Sequence, residues 1–376
     1  MRFVHLSDLH IGKSVKEFSM TEDIRYMFAK VFEIIDREEP DAVIIAGDVY
    51  DRTVPSAEAV KVLDDFIATL SKRRIKTFII SGNHDCPERI AFGGRVMESA
   101  GIHMSPVYDG KVVPISVKDE YGEVNIYMLP FVKPAHVRRC FPEESIESYT
   151  DAIRVAISNM DIDTSKRNIL ISHQFVTGAT RCESEGVSVG GLDNVDASVF
   201  DDFDYVALGH IHSPQSIGRE EVRYCGTLLK YSFSEAEGFK SVTVVEMKEK
   251  GDTKINAIPV KPLRDMVKIK GSFSQVTDRD FVDGIDADNY VKIILTDEEE
   301  IMDGINKLRT IYKNIMELEY DNKRTRARSE IADAVNIEQK SHLELFEEFY
   351  EMQNGQKMSD KQIDYSKELM EDIWES

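Results

Sequence analysis

The spacing of apolar positions changes period repeatedly along the first part of the chain. Phe3 to Asp8 reads as a strand. Thr21 to Arg37 carries Ile24, Met27, Phe28, Val31, Ile34 and Ile35 at helical spacing, and Asp41 to Ala46 is a short, wholly apolar strand. A helix over Ser56 to Lys72 and a strand over Lys76 to Ser81 follow. This alternation predicts an α/β core. Further strands are expected at Asn125–Leu129, Asn168–Ser172, Tyr205–Leu208 and Ser241–Met247, with a helix between Ile146 and Ser158.

Beyond a connector at Pro259–Arg264 the pattern starts again. Strands at Met266–Gly271 and Tyr290–Leu295, with helical stretches at Thr277–Ile285 and Glu299–Tyr312, predict a small α/β appendage. The remainder reads as helical throughout. Leu343, Phe346, Phe349 and Tyr350 form one stripe, Asn354-Gly355 breaks the pattern, and Ile363, Met370, Ile373 and Trp374 form a second. The expected division is therefore 1–260 for a large catalytic domain, 261–325 for the appendage and 326–376 for a helical hairpin. Its aromatic stripes suit either packing on the rest of the protein or, since such a hairpin has little core of its own, docking onto a partner.

At 376 residues the chain is long enough for this division. No apolar run approaches bilayer length, and the opening MRFVHLSD lacks a signal-peptide layout, so a cytoplasmic protein without membrane association is expected. Cys86, Cys140, Cys182 and Cys225 are scattered, which predicts reduced thiols. The net charge of -21 sits awkwardly with phosphate binding by Lys and Arg. From Ala327 onward, 13 acidic against 5 basic residues give a local net of -8, so over a third of the excess lies in the tail.

Five short motifs carry the chemistry: Asp8-Leu9-His10, Gly47-Asp48, Gly82-Asn83-His84-Asp85, Ser172-His173 and Gly209-His210-Ile211-His212. Each falls at the end of a predicted strand, where sites in open sheets form. In extended backbone, residues two apart face the same side, so Asp8 with His10 and His210 with His212 are expected to aim in pairs. Gly or Ser precedes the ligand at 47, 82, 172 and 209, which lets backbones crowd around a compact centre. Carboxylate, imidazole and amide oxygen without thiolate suit manganese, iron or zinc. Two such ions about 3.5 to 4 Å apart need a bridging carboxylate, for which Asp48 is the candidate. His5, His103, His136 and His342 lack this context and are expected to be structural.

A lone D-x-H arises by chance in about half of chains this long, but G-N-H-D in only about one in a thousand. With these motifs in order, the chain resembles the calcineurin-like metallophosphoesterase superfamily. The stretches GDVYDR, SGNHD, LPFVKP, ALGHIHSPQ and RYCGTLLKYSFSE narrow the resemblance to the SbcD family of nuclease subunits.

The resemblance implies a β-sandwich flanked by helices, a small α/β capping domain and a C-terminal helical hairpin. It implies two divalent metal ions, manganese being expected, one held by Asp8, His10, Asp48 and His212 and the other by Asp48, Asn83, His173 and His210. His84 would serve the leaving oxygen and Asp85 would orient His84. It also implies DNA as substrate, a homodimer, and an SbcC-type ATPase whose coiled coil docks on residues 326–376 and supplies a basic DNA channel. Some relatives carry histidine at the position of Asp51, which bears on the balance of exonuclease and endonuclease activity.

Hydrolysis by a two-metal-activated water is the expected chemistry, on duplex ends from 3' to 5' and internally in hairpins or single strands. The rival readings are a small-molecule phosphodiesterase, a phosphoprotein phosphatase, and a non-catalytic scaffold. The last predicts broken ligand positions, and all are intact.

Overall fold

In the computed structural model, residues 1–185, 193–323, 325, 342–354 and 356–375 are described. Two six-stranded sheets lie face to face. The first runs in the order Thr253–Val260, Lys240–Met247, Arg2–Leu6, Ala42–Ala46, Lys76–Ile80 and Ile102–Met104. Its four strands from Arg2–Leu6 to Ile102–Met104 are mutually parallel and Lys240–Met247 pairs antiparallel to Arg2–Leu6. The second runs Gln215–Ile217, Arg219–Tyr224, Tyr205–Gly209, Arg167–His173, Gly122–Met128 and Ile115–Asp119. Its inner strands are parallel and both edges close with antiparallel hairpins.

Side chains alternate across each strand, so every inner strand must bury two faces. Phe3, Ile44, Phe78, Ile126, Ile169, Tyr205 and Val245 fill the layer between the sheets. The outer face of the first sheet is covered by helices Thr21–Glu38 and Ala57–Lys72. Thr21–Glu38 buries the six apolar residues whose spacing predicts it, and it stops at Glu39, whose backbone turns left-handed. Ala57–Lys72 is fixed at its start by Ser56, whose hydroxyl accepts the Ala59 N–H at 3.1 Å. The outer face of the second sheet packs on helix Tyr149–Ser158, on Phe200 at the end of the 3-10 turn Ala197–Phe200, and on Phe203.

The sheets are also clamped by charge. Asp119 on the second sheet takes the amino terminus of Met1, and Arg167, itself bonded to the Lys248 carbonyl at 2.7 Å, pairs with the same carboxylate.

A third, three-stranded parallel sheet of Met266–Gly271, Tyr290–Leu295 and Ile315–Tyr320 encloses its own core of Ile269, Ile293, Leu295, Leu308 and Tyr312. Arg264 and the Tyr290 hydroxyl both reach buried Asp23, at 2.8 and 2.9 Å, and so tie this unit to helix Thr21–Glu38. Helices His342–Asn354 and Asp360–Glu375 pack together, with the Gln362 amide donating to the Tyr350 hydroxyl at 2.9 Å.

Several expectations need correction. The connector expected from Pro259 overlaps a strand that runs through Val260, because Thr253–Val260 pairs along its whole length with Lys240–Met247. Only Phe273–Val276 and Arg279–Asp283 are helical near Thr277–Ile285, and only Gly304–Arg309 within Glu299–Tyr312. The helix expected from Ile146 begins at Tyr149, where Ser148 and Asp151 cap each other. In the helical tail, 326–341 and the side chains of His342, Ile373 and Trp374 lie outside the described residues.

Candidate metal centre

All five motifs converge where the two sheets meet at the ends of their parallel strands. Strands Arg2–Leu6, Ala42–Ala46 and Lys76–Ile80 deliver Asp8, Asp48 and Asn83 from one side, and Arg167–His173 and Tyr205–Gly209 deliver His173, His210 and His212 from the other. The placement at strand ends holds, but the expected extended geometry of the paired ligands does not. Asp8, His10, Asp48 and His210 have φ of 51°, 42°, 48° and 97°, so the chain has already left the strand and turned left-handed. Four strained residues in one centre require surroundings that hold them in place. Here the Asp8 N–H bonds the Gly47 carbonyl and the His10 N–H bonds the Asp48 carbonyl, each at 3.0 Å.

The glycines before Asp48, Asn83 and His210 are sterically required. A methyl group on Gly209 would lie 2.6 Å from His173 Nδ1 and closer still to the Ala46 carbonyl oxygen, and one on Gly82 would strike Asp48.

The donor atoms fall into two groups that share Asp48. His173 Nε2 lies 2.9 Å from Asn83 Oδ1 and 3.4 Å from Asp48 Oδ2, and His210 Nδ1 lies 2.9 Å from Asn83 Oδ1. On the other side His10 Nε2 lies 3.2 Å from His212 Nε2 and 3.8 Å from Asp48 Oδ2, with Asp8 in the same cluster. Atoms bound about 2.1 Å from a common ion sit roughly 3.0 to 3.5 Å apart at right to tetrahedral angles and farther apart at wider ones, so spacings of 2.9 to 3.8 Å are close to those of coordination shells. The donor set fits two divalent cations with nitrogen and oxygen ligands.

The electrostatics agree. Burial lowers the pKa values of His10 and His210 to about 3 and takes His212 well below its ordinary range, which leaves neutral rings with lone pairs to offer. Burial also opposes a charge on His173, but the adjacent Asp48 carboxylate outweighs it and lifts that ring to about 9. Burial raises Asp8 to about 7. The centre therefore draws positive charge, and a metal ion meets that demand as well as a proton does.

His84 stands at the open side, its side chain 38% exposed and its Nε2 4.0 Å from Asp48 Oδ2. The orientation expected from Asp85 is corrected by the hydrogen bonds. Asp85 accepts the backbone N–H groups of Val49, Tyr50 and Gly82 at 3.0, 2.9 and 2.9 Å, which pins together the loops carrying Asp48 and Asn83. His84 Nδ1 instead meets the Asp51 carbonyl oxygen at 3.0 Å. The Asp51 carboxylate pairs with Lys13 at 2.7 Å and lies 3.7 Å from His10 Nδ1.

The structure adds residues that the motifs did not predict. Tyr231 lies edge-on to His10 and His212 and bonds the Leu9 carbonyl at 3.0 Å. Ser184, Glu185, Glu235 and Lys240 surround His212. The sequence signal available for Tyr231 and Glu235 was only their place in the stretch RYCGTLLKYSFSE. Of the histidines expected to be structural, His5 bonds the Tyr205 hydroxyl at 3.0 Å, His103 stacks on Phe78, and His136 accepts the Lys133 N–H at the start of its own helix.

Residues 1–214 match the model of the calcineurin-like phosphoesterases, and residues 262–354 match that of the type 5 capsule protein repressor C-terminal domain. The chain is 32% identical over 377 residues to the SbcD subunit of the nuclease SbcCD from Staphylococcus epidermidis, covering 98% of each. Solved structures similar to it include a dimetal phosphatase from Danio rerio (11% identity, 70% of this chain and 98% of that one, TM-score 0.42) and the E. coli phosphoesterase Yfce (12%, 69% and 100%, 0.28). The conjunction of motif order, two-sheet architecture and near end-to-end similarity decides the matter: the chain belongs to the calcineurin-like phosphoesterases and, within them, to the SbcD family of nuclease subunits.

Proposed function

We propose that the chain is a metal-dependent DNA nuclease, a 3'-5' exonuclease on duplex ends and an endonuclease on hairpins and single strands, that works with an SbcC-type ATPase in DNA end processing, recombination and replication. The observation that carries this reading is the pair of donor groups sharing Asp48, at coordination spacing and open to solvent on the His84 side. Asp8, His10, Asp48 and His212 would hold one ion, and Asp48, Asn83, His173 and His210 the other, with manganese as the expected metal. When bound, such a pair supplies Lewis-acid activation of a water and neutralises the charge on a phosphate.

The protein's own contribution is placement. Asp85 fixes the two loops, and His84, anchored through Nδ1 at the Asp51 carbonyl, presents Nε2 where a leaving oxygen can take a proton. Lys13 puts a cation beside the centre, held by Asp51.

A net charge of -21 leaves little of the DNA backbone to be neutralised by this chain, so a basic channel on the partner completes the binding surface. The exposed Phe346 and Phe349 on helix His342–Asn354 suit the partner's coiled coil. A homodimer through the early helices fits the exposed Phe92 and Val96 that follow the His84 loop. The division at 260 and 325 assigns catalysis, DNA capping and docking to successive parts of the chain.

The test uses manganese, a blunt duplex, a DNA hairpin and a chromogenic small phosphodiester, with and without the ATPase partner. Cleavage of DNA supports the proposal. Turnover of the small ester alone, even with the partner, assigns the centre to a small-molecule phosphodiesterase.

A further inference from the structure

His212 is gripped at every polar atom except the one that faces the centre. Its backbone N–H donates to Glu185 at 2.5 Å. Its carbonyl accepts from the Lys240 ammonium at 2.9 Å and the Thr227 N–H at 3.0 Å. Its ring Nδ1 lies 2.7 Å from the Ser184 hydroxyl, which in turn lies 2.8 Å from Glu235 Oε1. Glu235 is itself fixed by a buried ion pair with Lys240 at 2.5 Å and by the Tyr231 N–H at 3.1 Å.

The proton count decides what this chain does. A carboxylate only accepts, so the single hydroxyl proton of Ser184 goes to Glu235. Ser184 must then accept at its other side, so His212 Nδ1 carries the hydrogen. The lone pair is left on Nε2, the atom that faces His10 Nε2 across 3.2 Å. Cys182, His212 and Glu235 could by distance hold an ion of their own. Ser184 Oγ stands between them, however, at 2.9, 2.7 and 2.8 Å from their polar atoms, and hydrogen bonds use the space.

We propose that Ser184 and Glu235, backed by Lys240, are positioning residues that lock the His212 tautomer and ring orientation and so set the affinity of the ion on the Asp8–His10–His212 side. This rests on the two-ion reading of the centre but not on DNA as the substrate. Outer partners of ligating histidines typically govern metal affinity by about 10- to 100-fold.

The experiment titrates manganese into chelator-stripped full-length protein and follows free ion by electron paramagnetic resonance, for wild type, Ser184→Ala, Ser184→Thr and Glu235→Gln. Thermal unfolding of each stripped protein accompanies the titration. The expected result is one of two binding steps weakened about 10- to 100-fold in Ser184→Ala and Glu235→Gln and restored in Ser184→Thr, while the other step and the cooperative unfolding of each stripped protein persist. Two unchanged steps or equal weakening of both steps would each overturn the proposal. A wild type that binds two ions but cuts no DNA would instead count against the nuclease reading alone.

Discussion

Replacing Asp85 with asparagine separates a loop staple from a catalytic partner. Asp85 Oδ2 accepts from Val49 and Gly82, and Oδ1 accepts from Tyr50. Asparagine keeps one acceptor oxygen and turns an amide N–H₂ toward a backbone N–H, so at least one charge-assisted bond is lost and one buried donor is stranded. A bond to a charged group contributes about 1.5 to 3 kcal/mol and a stranded donor costs about 1 to 3 kcal/mol, which together predict a loss of about 3 kcal/mol after partial relaxation. Because the pinned loops carry Asp48 and Asn83, manganese affinity should fall with stability. Denaturant unfolding, metal titration and phosphodiester hydrolysis are to be compared for Asp85→Asn, His84→Ala and the double variant. His84→Ala should leave stability and metal binding near wild type, and the two defects in rate should combine in the double variant. Unchanged stability and metal affinity in Asp85→Asn, with a rate defect that vanishes in the His84→Ala background, would refute the staple and restore Asp85 as the orienter of His84.

Other perturbations probe different layers. Gly209→Ala forces a methyl group against His173 and the Ala46 carbonyl, so it should destabilise the fold by about 1 to 3 kcal/mol or more and lower metal occupancy, both measurable on purified protein. Asp119→Asn breaks the inter-sheet clamp and should cost about 3 kcal/mol at pH 7 by chemical unfolding. Burial alone would raise the Asp119 carboxyl, but Arg167 and the amino terminus outweigh it and hold it well below the usual carboxylate range. A depressed folded-state value gives stability above the ordinary carboxylate pKa and loses it as pH falls toward the folded value. The gap between wild type and Asp119→Asn should therefore narrow below about pH 4, and a gap independent of pH would exclude the clamp. Phe349→Ser should weaken association with an SbcC-type ATPase in a pull-down while leaving manganese binding unchanged.

The legible parts of the fold were those whose physics is local. Ala42–Ala46 and Thr21–Glu38 declare themselves through wholly apolar and helical spacing, because one is buried on both faces and the other on a single stripe. Thr253–Val260 was not legible as a strand, since its pattern of half-buried and exposed residues is set by the neighbouring Lys240–Met247 on an open edge. Arg219–Tyr224 escaped similarly, most of its residues being charged. At the centre, ligand identity followed from motif order and residue type, but backbone conformation did not. Asp8, His10 and His210 turn left-handed under contacts from loops far away in sequence. The role of Asp85 depends on Val49 and Tyr50, more than thirty residues earlier. The grip on His212 gathers residues from 184 to 240 that no short motif groups together.

Counting metal and cleavage together in wild type, Asp48→Asn and His84→Ala probes the centre most directly, by elemental analysis of dialysed protein beside a manganese-dependent hairpin assay. Two ions and cleavage are expected in wild type, fewer ions and no cleavage in Asp48→Asn, and two ions with cleavage abolished in His84→Ala. Full cleavage by Asp48→Asn, or cleavage by wild type undiminished in chelator, would contradict a two-ion centre bridged by Asp48.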